Sequence, residues 1–466
     1  MASEREASDD RTARTCVKML LLLLLCSYHY SVTAGAADDR IHKVLAAASH
    51  TAEAVCAQPQ VTTPSSSSGA TVRLSHRYGP CSPAPSADEP TVAELLRRDQ
   101  LRAEYVQAKY HGAGNDGLNQ SKITVPTILG SALDTLEYVI TVAIGSPAVT
   151  QNVMIDTGSD ISWVHCSSPT GSVLFDPVGS STYAPFSCTS APCTQLGADS
   201  SGCSGSQCQY MVMYGDGSNT TGTYGSDTLA LTDSETVTDF RFGCSHKEEG
   251  FDDKLDGLMG LGGGTESLVS QTEATYGEAF SYCLPATSRD SGFLTLGAPN
   301  TTSGFETTPM LRSEEVPTFF GVLLQDIAVG GNLLGISPTV FSAGSVMDSG
   351  TIITRLPARA YSALSAAFKA GMRNYTRAPA VSLLDTCFDF TGLDSVSVPS
   401  VALVFDGGAV VDIVYDGIMI AVDDVTECLA FSDEGTLSII GNVQQRTFEV
   451  LHDVGQGVFG FRSDAC

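Results

Sequence analysis

From about residue 136 onward the chain is a succession of short apolar runs broken by glycine-rich and polar turns, a pattern that predicts strands. Residues 138–142, 153–155, 210–214 and 319–324 each read as a strand of β-branched and aromatic residues. One helix is predicted after Pro357, because Tyr361, Leu364, Phe368 and Met372 recur every three or four residues and share a face. A second, basic helix is predicted over residues 94–110, where Leu95, Leu96, Leu101, Tyr105 and Val106 lie among Arg97, Arg98, Arg102 and Lys109. Residues 37–90 are rich in Ala, Ser, Thr and Pro and are expected to be poorly ordered. Residues 112–117 read as a turn-rich linker. The class expected is mainly β with a few short helices.

The same pattern occurs twice. Val153-Met154-Ile155-Asp156-Thr157-Gly158-Ser159 is echoed by Ser345-Val346-Met347-Asp348-Ser349-Gly350-Thr351, and the aspartates are 192 residues apart. About a hundred residues beyond each comes an apolar-apolar-Gly element, Leu258-Met259-Gly260 and Ile439-Ile440-Gly441. Each aspartate thus closes a strand and precedes a small residue and a glycine, whose turn backbone can approach the carboxylate and donate N–H bonds to it. If the copies meet face to face, the two carboxylates cannot both ionise cheaply and hold one proton between them. The ionised member can then activate a water and the protonated one polarise a scissile amide carbonyl, with no metal or other cofactor.

These motifs resemble those of the pepsin-like aspartic proteases, specifically the plant nepenthesin-like branch, over roughly residues 136–466. The resemblance implies a bilobal fold of two related β lobes with a cleft between them. It makes Asp156 and Asp348 catalytic, and it implies substrate-binding roles for Tyr214, Gly158, Ser159, Gly350 and Thr351. Tyr214-Gly215-Asp216-Gly217-Ser218 resembles the family's flap hairpin, Trp163 the residue that supports the flap tyrosine, and the apolar-apolar-Gly elements its paired ψ-loops. Ser159 and Ser349 or Thr351 are implied to hydrogen-bond around the dyad. His76-Arg77-Tyr78-Gly79-Pro80-Cys81 and the basic helix after it resemble the propeptide of this branch. The division expected is a signal peptide (1–36), a propeptide (37–121, approximate end), a lobe with the first aspartate and flap (122–310), and a lobe with the second aspartate (311–466). The implied activity is that of an aspartic endopeptidase, made as a zymogen and working in acid on a polypeptide substrate. The rival is an inert binding protein of the same fold, resembling plant xylanase inhibitors, but such relatives lose a triplet or the flap and here both are intact. Relatives also carry extra cysteines just after the Trp-x-x-Cys position, whereas Cys166 has no nearby partner until Cys188, so the pairing there is open.

Charge supports the division. Residues 1–121 hold 12 Lys/Arg against 13 Asp/Glu, and residues 122–466 hold 13 against 39, within an overall formal charge of −27. Such a body repels nucleic acid and anionic lipid, so neither is an expected partner. A basic helix ahead of it suggests a propeptide lying across an acidic cleft. A monomer is expected, whose partners are its substrate and, before activation, its own propeptide.

Arg11, Arg14 and Lys18 precede an apolar run over residues 19–26, and Ala34-Gly35-Ala36 follows, the layout of a secretory signal. The run falls short of the roughly 20 residues of a spanning helix, so no stable membrane insertion is expected. Ten cysteines in the acidic part suit a disulfide framework, and its three histidines, with no paired Cys-x-x-Cys, do not suit zinc. Sequons at Asn119, Asn219, Asn300 and Asn374 fit a glycosylating route. The expected destination is extracellular (apoplast) or vacuolar.

Overall fold

The computed structural model of the protein describes residues 40–44, 69–83, 90–112, 138–166, 175–197, 200–214, 218–251, 255–285, 290–299, 304–463 and 465. The expected signal peptide, residues 113–117 of the linker, the sequons at Asn119 and Asn300 and the 215–217 turn lie outside the described residues.

Strands dominate, as the alternating pattern predicts. The strand Val149–Asp156 ends on the first aspartate and runs parallel to Gly257–Gly260, which in turn lies antiparallel to Trp163–His165. The second half repeats this arrangement: Ser345–Met347 runs parallel to Ser438–Ile440, which pairs antiparallel with Thr354–Leu356 through Arg355 and Ile439. The apolar-apolar-Gly strand is therefore threaded between the two arms of the aspartate turn in each half. Its terminal glycine is dictated by close approach. A Cβ on Gly260 would lie 2.4 Å from the Asp160 carbonyl oxygen, and one on Gly441 2.5 Å from that of Ile352, so no larger residue fits without moving backbone.

The predicted helix after Pro357 spans Ala358–Gly371, and Tyr361, Leu364 and Phe368 are buried as their spacing requires, with Met372 at its end. The basic helix, α1, spans Val92–Gly112. Thr91 starts it, its hydroxyl accepting the Glu94 N–H at 3.3 Å in the Thr-x-x-Glu spacing of a helix N-terminus.

Two expectations are corrected. Residues 319–324 do not form one strand: Gly321–Val322 pairs with Ser345–Met347, whereas Leu324–Val329 pairs with Val401–Phe405, so the chain changes sheet at Leu323. Both pieces are apolar because both are buried, and periodicity has no means of marking the switch. Within residues 37–90, Arg40–Val44 pairs with Ser395–Pro399, and Thr71–His76 is inserted into the fifteen-stranded sheet between Ser291–Leu296 and Tyr138–Ile144. Val72 and Leu74 are buried there at alternate positions, a period-two signal too short to stand out from its polar surroundings.

Cys166, left open by sequence, pairs with Cys244 across 78 residues. Trp163–His165 runs parallel to Gly243–Ser245 and carries the two cysteines together. Cys188–Cys203, Cys193–Cys208 and Cys387–Cys428 are also bridged.

Candidate active site

Asp156 and Asp348 close equivalent strands, are each 0% exposed, and converge on a single guanidinium. Arg102 Nη2 donates to Asp156 Oδ1 at 2.7 Å and to Asp348 Oδ1 at 2.6 Å, while Nε donates to Asp348 Oδ2 at 2.9 Å. A weaker contact runs from Nη1 to Asp156 Oδ2 at 3.5 Å. The two carboxylates therefore face each other across one nitrogen, as the duplication requires if its halves meet.

The turns after them are built alike. The Gly158 N–H donates to Asp156 Oδ1 at 3.0 Å and the Gly350 N–H to Asp348 Oδ1 at 3.1 Å. The turns are also tied to each other: the Thr157 N–H donates to Ser349 Oγ at 3.2 Å and the Ser349 N–H to Thr157 Oγ1 at 2.9 Å. This reciprocal pair of backbone-to-hydroxyl bonds fixes the separation of the carboxylates without touching them. Thr157 was not among the residues singled out from sequence; the small hydroxylated residue after each aspartate is the signal that pointed to it.

The two halves differ at the next position. Thr351 Oγ1 donates to Asp348 Oδ2 at 2.5 Å, whereas Ser159 Oγ is buried and finds no hydrogen-bond partner among the described residues. Arg102 approaches both oxygens of each aspartate, so the Thr351 hydroxyl is what distinguishes Asp348. Burial alone would raise the Asp348 carboxyl. The Arg102 charge and hydrogen bonds, with the Thr351 hydroxyl and the Gly350 N–H, outweigh burial and hold it below the ordinary carboxylate range. Burial likewise opposes the charge on Arg102, but the two carboxylates more than offset it and bind its proton more firmly than usual.

Tyr214 lies at the end of the strand Gln207–Met213 and is buried. Its hydroxyl accepts a hydrogen bond from Trp163 Nε1 at 2.8 Å, and Phe251 packs edge-on against both rings. Burial, only partly countered by the Trp163 bond, raises the phenol well above its usual value, so it stays protonated.

Arg102 reaches the aspartates from α1. Leu96, Asp99, Arg102, Ala103 and Val106 share one face of that helix, and all are buried. Leu96 belongs to the buried apolar cluster that includes Ile352, Ile353, Leu384 and Val443, and Ala103 and Val106 to the one that includes Val316, Phe319 and Ile439. Gln107 exchanges bonds with the backbone of Leu437, donating at 2.6 Å and accepting at 3.3 Å. The helix is seated by apolar side chains, and its three buried charges are each met by opposite charge: Arg98 by Glu94, Asp99 by Arg355 and Arg102 by the two aspartates.

Known proteins are similar to most of this chain. Residues 138–298 match the family described as Xylanase inhibitor N-terminal and residues 319–463 that described as Xylanase inhibitor C-terminal. Aspartyl protease AED1 of Arabidopsis thaliana is 36% identical over 468 residues, covering 97% of this chain and 99% of that protein. Aspartic proteinase nepenthesin-2 of Nepenthes gracilis is 32% identical over 395 residues, covering 80% of this chain and 86% of that protein. Conglutin gamma, a basic 7S globulin from lupine seeds, superposes with a TM-score of 0.59 at 20% identity over 72% of this chain and 93% of that chain. Soybean basic 7S globulin gives 0.58 at 21% identity with the same coverage. The likeness to these two globulins speaks for the fold alone. With both aspartate turns intact and the similarity spanning nearly its whole length, the chain belongs to the pepsin-like aspartyl proteases of plants, in the branch that holds the nepenthesins.

Proposed function

We propose that the protein is an aspartic endopeptidase made as an inactive precursor, with Asp156 and Asp348 as its catalytic pair and α1 as the part that keeps it closed. The observation that carries this reading is the approach of both carboxylates to the one nitrogen of Arg102, at 2.7 and 2.6 Å. Groups that can share a guanidinium can, once it leaves, share a proton around a bound water. The ionised carboxylate takes a proton from the water, the protonated one polarises the peptide carbonyl, and the tetrahedral diol collapses as the amine leaves with a proton. The Gly158 and Gly350 N–H groups and the Thr351 hydroxyl orient the carboxylates, and Tyr214, held by Trp163, covers a bound peptide. Acid suits the chemistry because one of the two carboxylates must be protonated.

The leader before the acidic body, the disulfides and the sequons support a secretory route to the apoplast or vacuole. The inert-binder reading draws on the description of the matched family and on the storage-globulin structures. It leaves unexplained why both aspartate turns are complete. The test is hydrolysis of a denatured protein in acid by processed protein and by Asp156→Asn and Asp348→Asn, each expected to lose at least about 10³-fold in rate. Undiminished cleavage by either variant would remove that residue from the mechanism.

A further inference from the structure

Three residues before Arg102, the same face of α1 carries another buried charge, Asp99, whose hydrogen bonds go to groups other than the aspartate pair, although the Asp348 charge also helps to raise its carboxyl. Its carboxylate is 0% exposed. Oδ1 accepts the Ile352 N–H at 2.6 Å, and Oδ2 accepts the Ile353 N–H at 3.3 Å and Arg355 Nη2 at 2.8 Å. Burial raises the Asp99 carboxyl, and Arg355 and the two N–H groups counter this only in part. Arg355 is also 0% exposed, and its remaining bond, from Nη1 to Gln100 Oε1 at 3.2 Å, goes to α1 as well. Its Nε has no partner among the described residues. Among the described residues, every hydrogen-bond acceptor of the Arg355 guanidinium therefore belongs to α1.

When α1 leaves, a guanidinium and two backbone N–H groups lose their common acceptor at once. The vacated volume is shaped for a carboxylate, with fixed backbone donors on one side and a planar cation on the other. It lies on the segment that continues directly from Asp348, since Thr351, which bonds Asp348, immediately precedes Ile352. Leu96, one turn before Asp99 on α1, joins the buried apolar cluster of Ile352, Ile353, Leu384 and Val443, so apolar surface of that cluster is also uncovered when α1 leaves. In a body with 13 Lys/Arg against 39 Asp/Glu from residue 122 onward, a fully buried arginine whose partners all come from α1 is conspicuous.

We infer that Arg355, with the Ile352 and Ile353 N–H groups, forms an anion-recognising subsite of the opened protein, selecting peptides with an ionised Glu or Asp close to the bond to be cut. Asp99 holds that subsite in the closed form and stands in for the substrate carboxylate. The inference rests on the proteolytic reading and on the release of α1. An ionised acceptor on a preorganised arginine and two N–H groups should be preferred over its neutral isostere by about tenfold or more.

The test uses the protein after removal of its leader by acid or, failing that, by limited trypsin treatment. Peptide pairs differing only by Glu or Gln, at each of three positions on either side of the scissile bond, are compared twice: hydrolysis gives kcat/KM, and analogues with a reduced, uncleavable bond give Kd by fluorescence anisotropy. At one position Glu should be favoured about tenfold at pH 5, with the ratio falling towards one at pH 3 as Glu protonates near its ordinary pKa of about 4.3. Arg355→Gln should bring the pH 5 ratio to about one. A measurement on the unaltered protein guards against a misfolded variant: a synthetic peptide of residues 90–112 should displace the Glu ligand about tenfold better than its Asp99→Asn form. Equal treatment of Glu and Gln at every position, with peptides still hydrolysed, would overturn the subsite and leave proteolysis standing. A Glu preference in binding without hydrolysis of any peptide would do the reverse.

Discussion

Arg102→Met offers a direct test of α1 as the closing element. Its guanidinium is 8% exposed and both carboxylates are 0% exposed, so this is a buried charge cluster and not a screened surface pair. Removing one partner from such a cluster costs about 3–5 kcal/mol, or roughly two to three and a half orders of magnitude in the ratio of seated to released helix. The lower end applies here, because Asp156 and Asp348 can relieve their repulsion by sharing a proton once the cation is gone. The pH dependence follows from the same exchange. Arg102 holds Asp348 below the ordinary carboxylate range, whereas the freed pair retains a proton, so seating the helix expels one. This exchange makes seating strongest above the carboxylate range and weakens it as pH falls through it, against a contribution of opposite sign from Asp99, whose carboxyl is raised by burial when the helix is seated; the methionine variant keeps only the second. Hydrogen exchange of the backbone amides of residues 92–112 at neutral pH should be about a hundredfold faster in the variant, and self-processing should begin at a pH where the parent is latent. Equal protection of those amides in the two proteins, with equal latency, would refute the reasoning.

Three further outcomes are expected. His452 is 0% exposed, packs among Phe280, Phe320 and Phe459, and is pushed by burial from 6.5 down to about 3. Below pH 6.5 the unfolded chain takes up a proton that the folded one refuses, so this residue costs about 3 kcal/mol of stability by pH 4. His452→Phe should therefore narrow the gap between the pH 7 and pH 4 melting temperatures, and parallel losses in both proteins would count against it. Thr157→Val leaves the buried Ser349 N–H without its acceptor and should cost about 1–3 kcal/mol in urea unfolding, less than additively with Ser349→Ala because the two hydroxyls serve one exchange; strict additivity would argue against the reciprocal tie. Trp163 is the sole tryptophan, so Tyr214→Phe, which removes the acceptor of its indole N–H, should alter its fluorescence emission, and an unchanged spectrum would mean that the bond does not form in solution.

The strands, the helix after Pro357 and the duplicated aspartate turns were legible because each is written in adjacent residues: an apolar run, a period, a small residue and a glycine. The apolar-apolar-Gly elements were legible as a repeat, while the close backbone approach that requires Gly260 and Gly441 is seen only in the fold. The basic helix was legible as a helix near an acidic body, and its attraction to that body follows from charge alone. Sequence could not say which of Arg97, Arg98 and Arg102 meets the aspartates. Arg97 is exposed, Arg98 is buried but is taken up by Glu94 of its own helix at 2.5 Å, and Arg102 alone of the three reaches the carboxylates.

What residues close in the chain can specify is local geometry: where a strand ends, where a helix begins, that two aspartate turns have the same construction. Tertiary structure decided what those turns face. It brought Arg102 between carboxylates 54 and 246 residues away, set Asp99 on Arg355 across 256, and slid Thr71–His76 into a sheet whose neighbouring strands begin and end far beyond it. Such partners are chosen by burial, because a charge taken out of water must find its opposite wherever the packing of apolar neighbours places it. Periodicity along the chain carries no record of that choice.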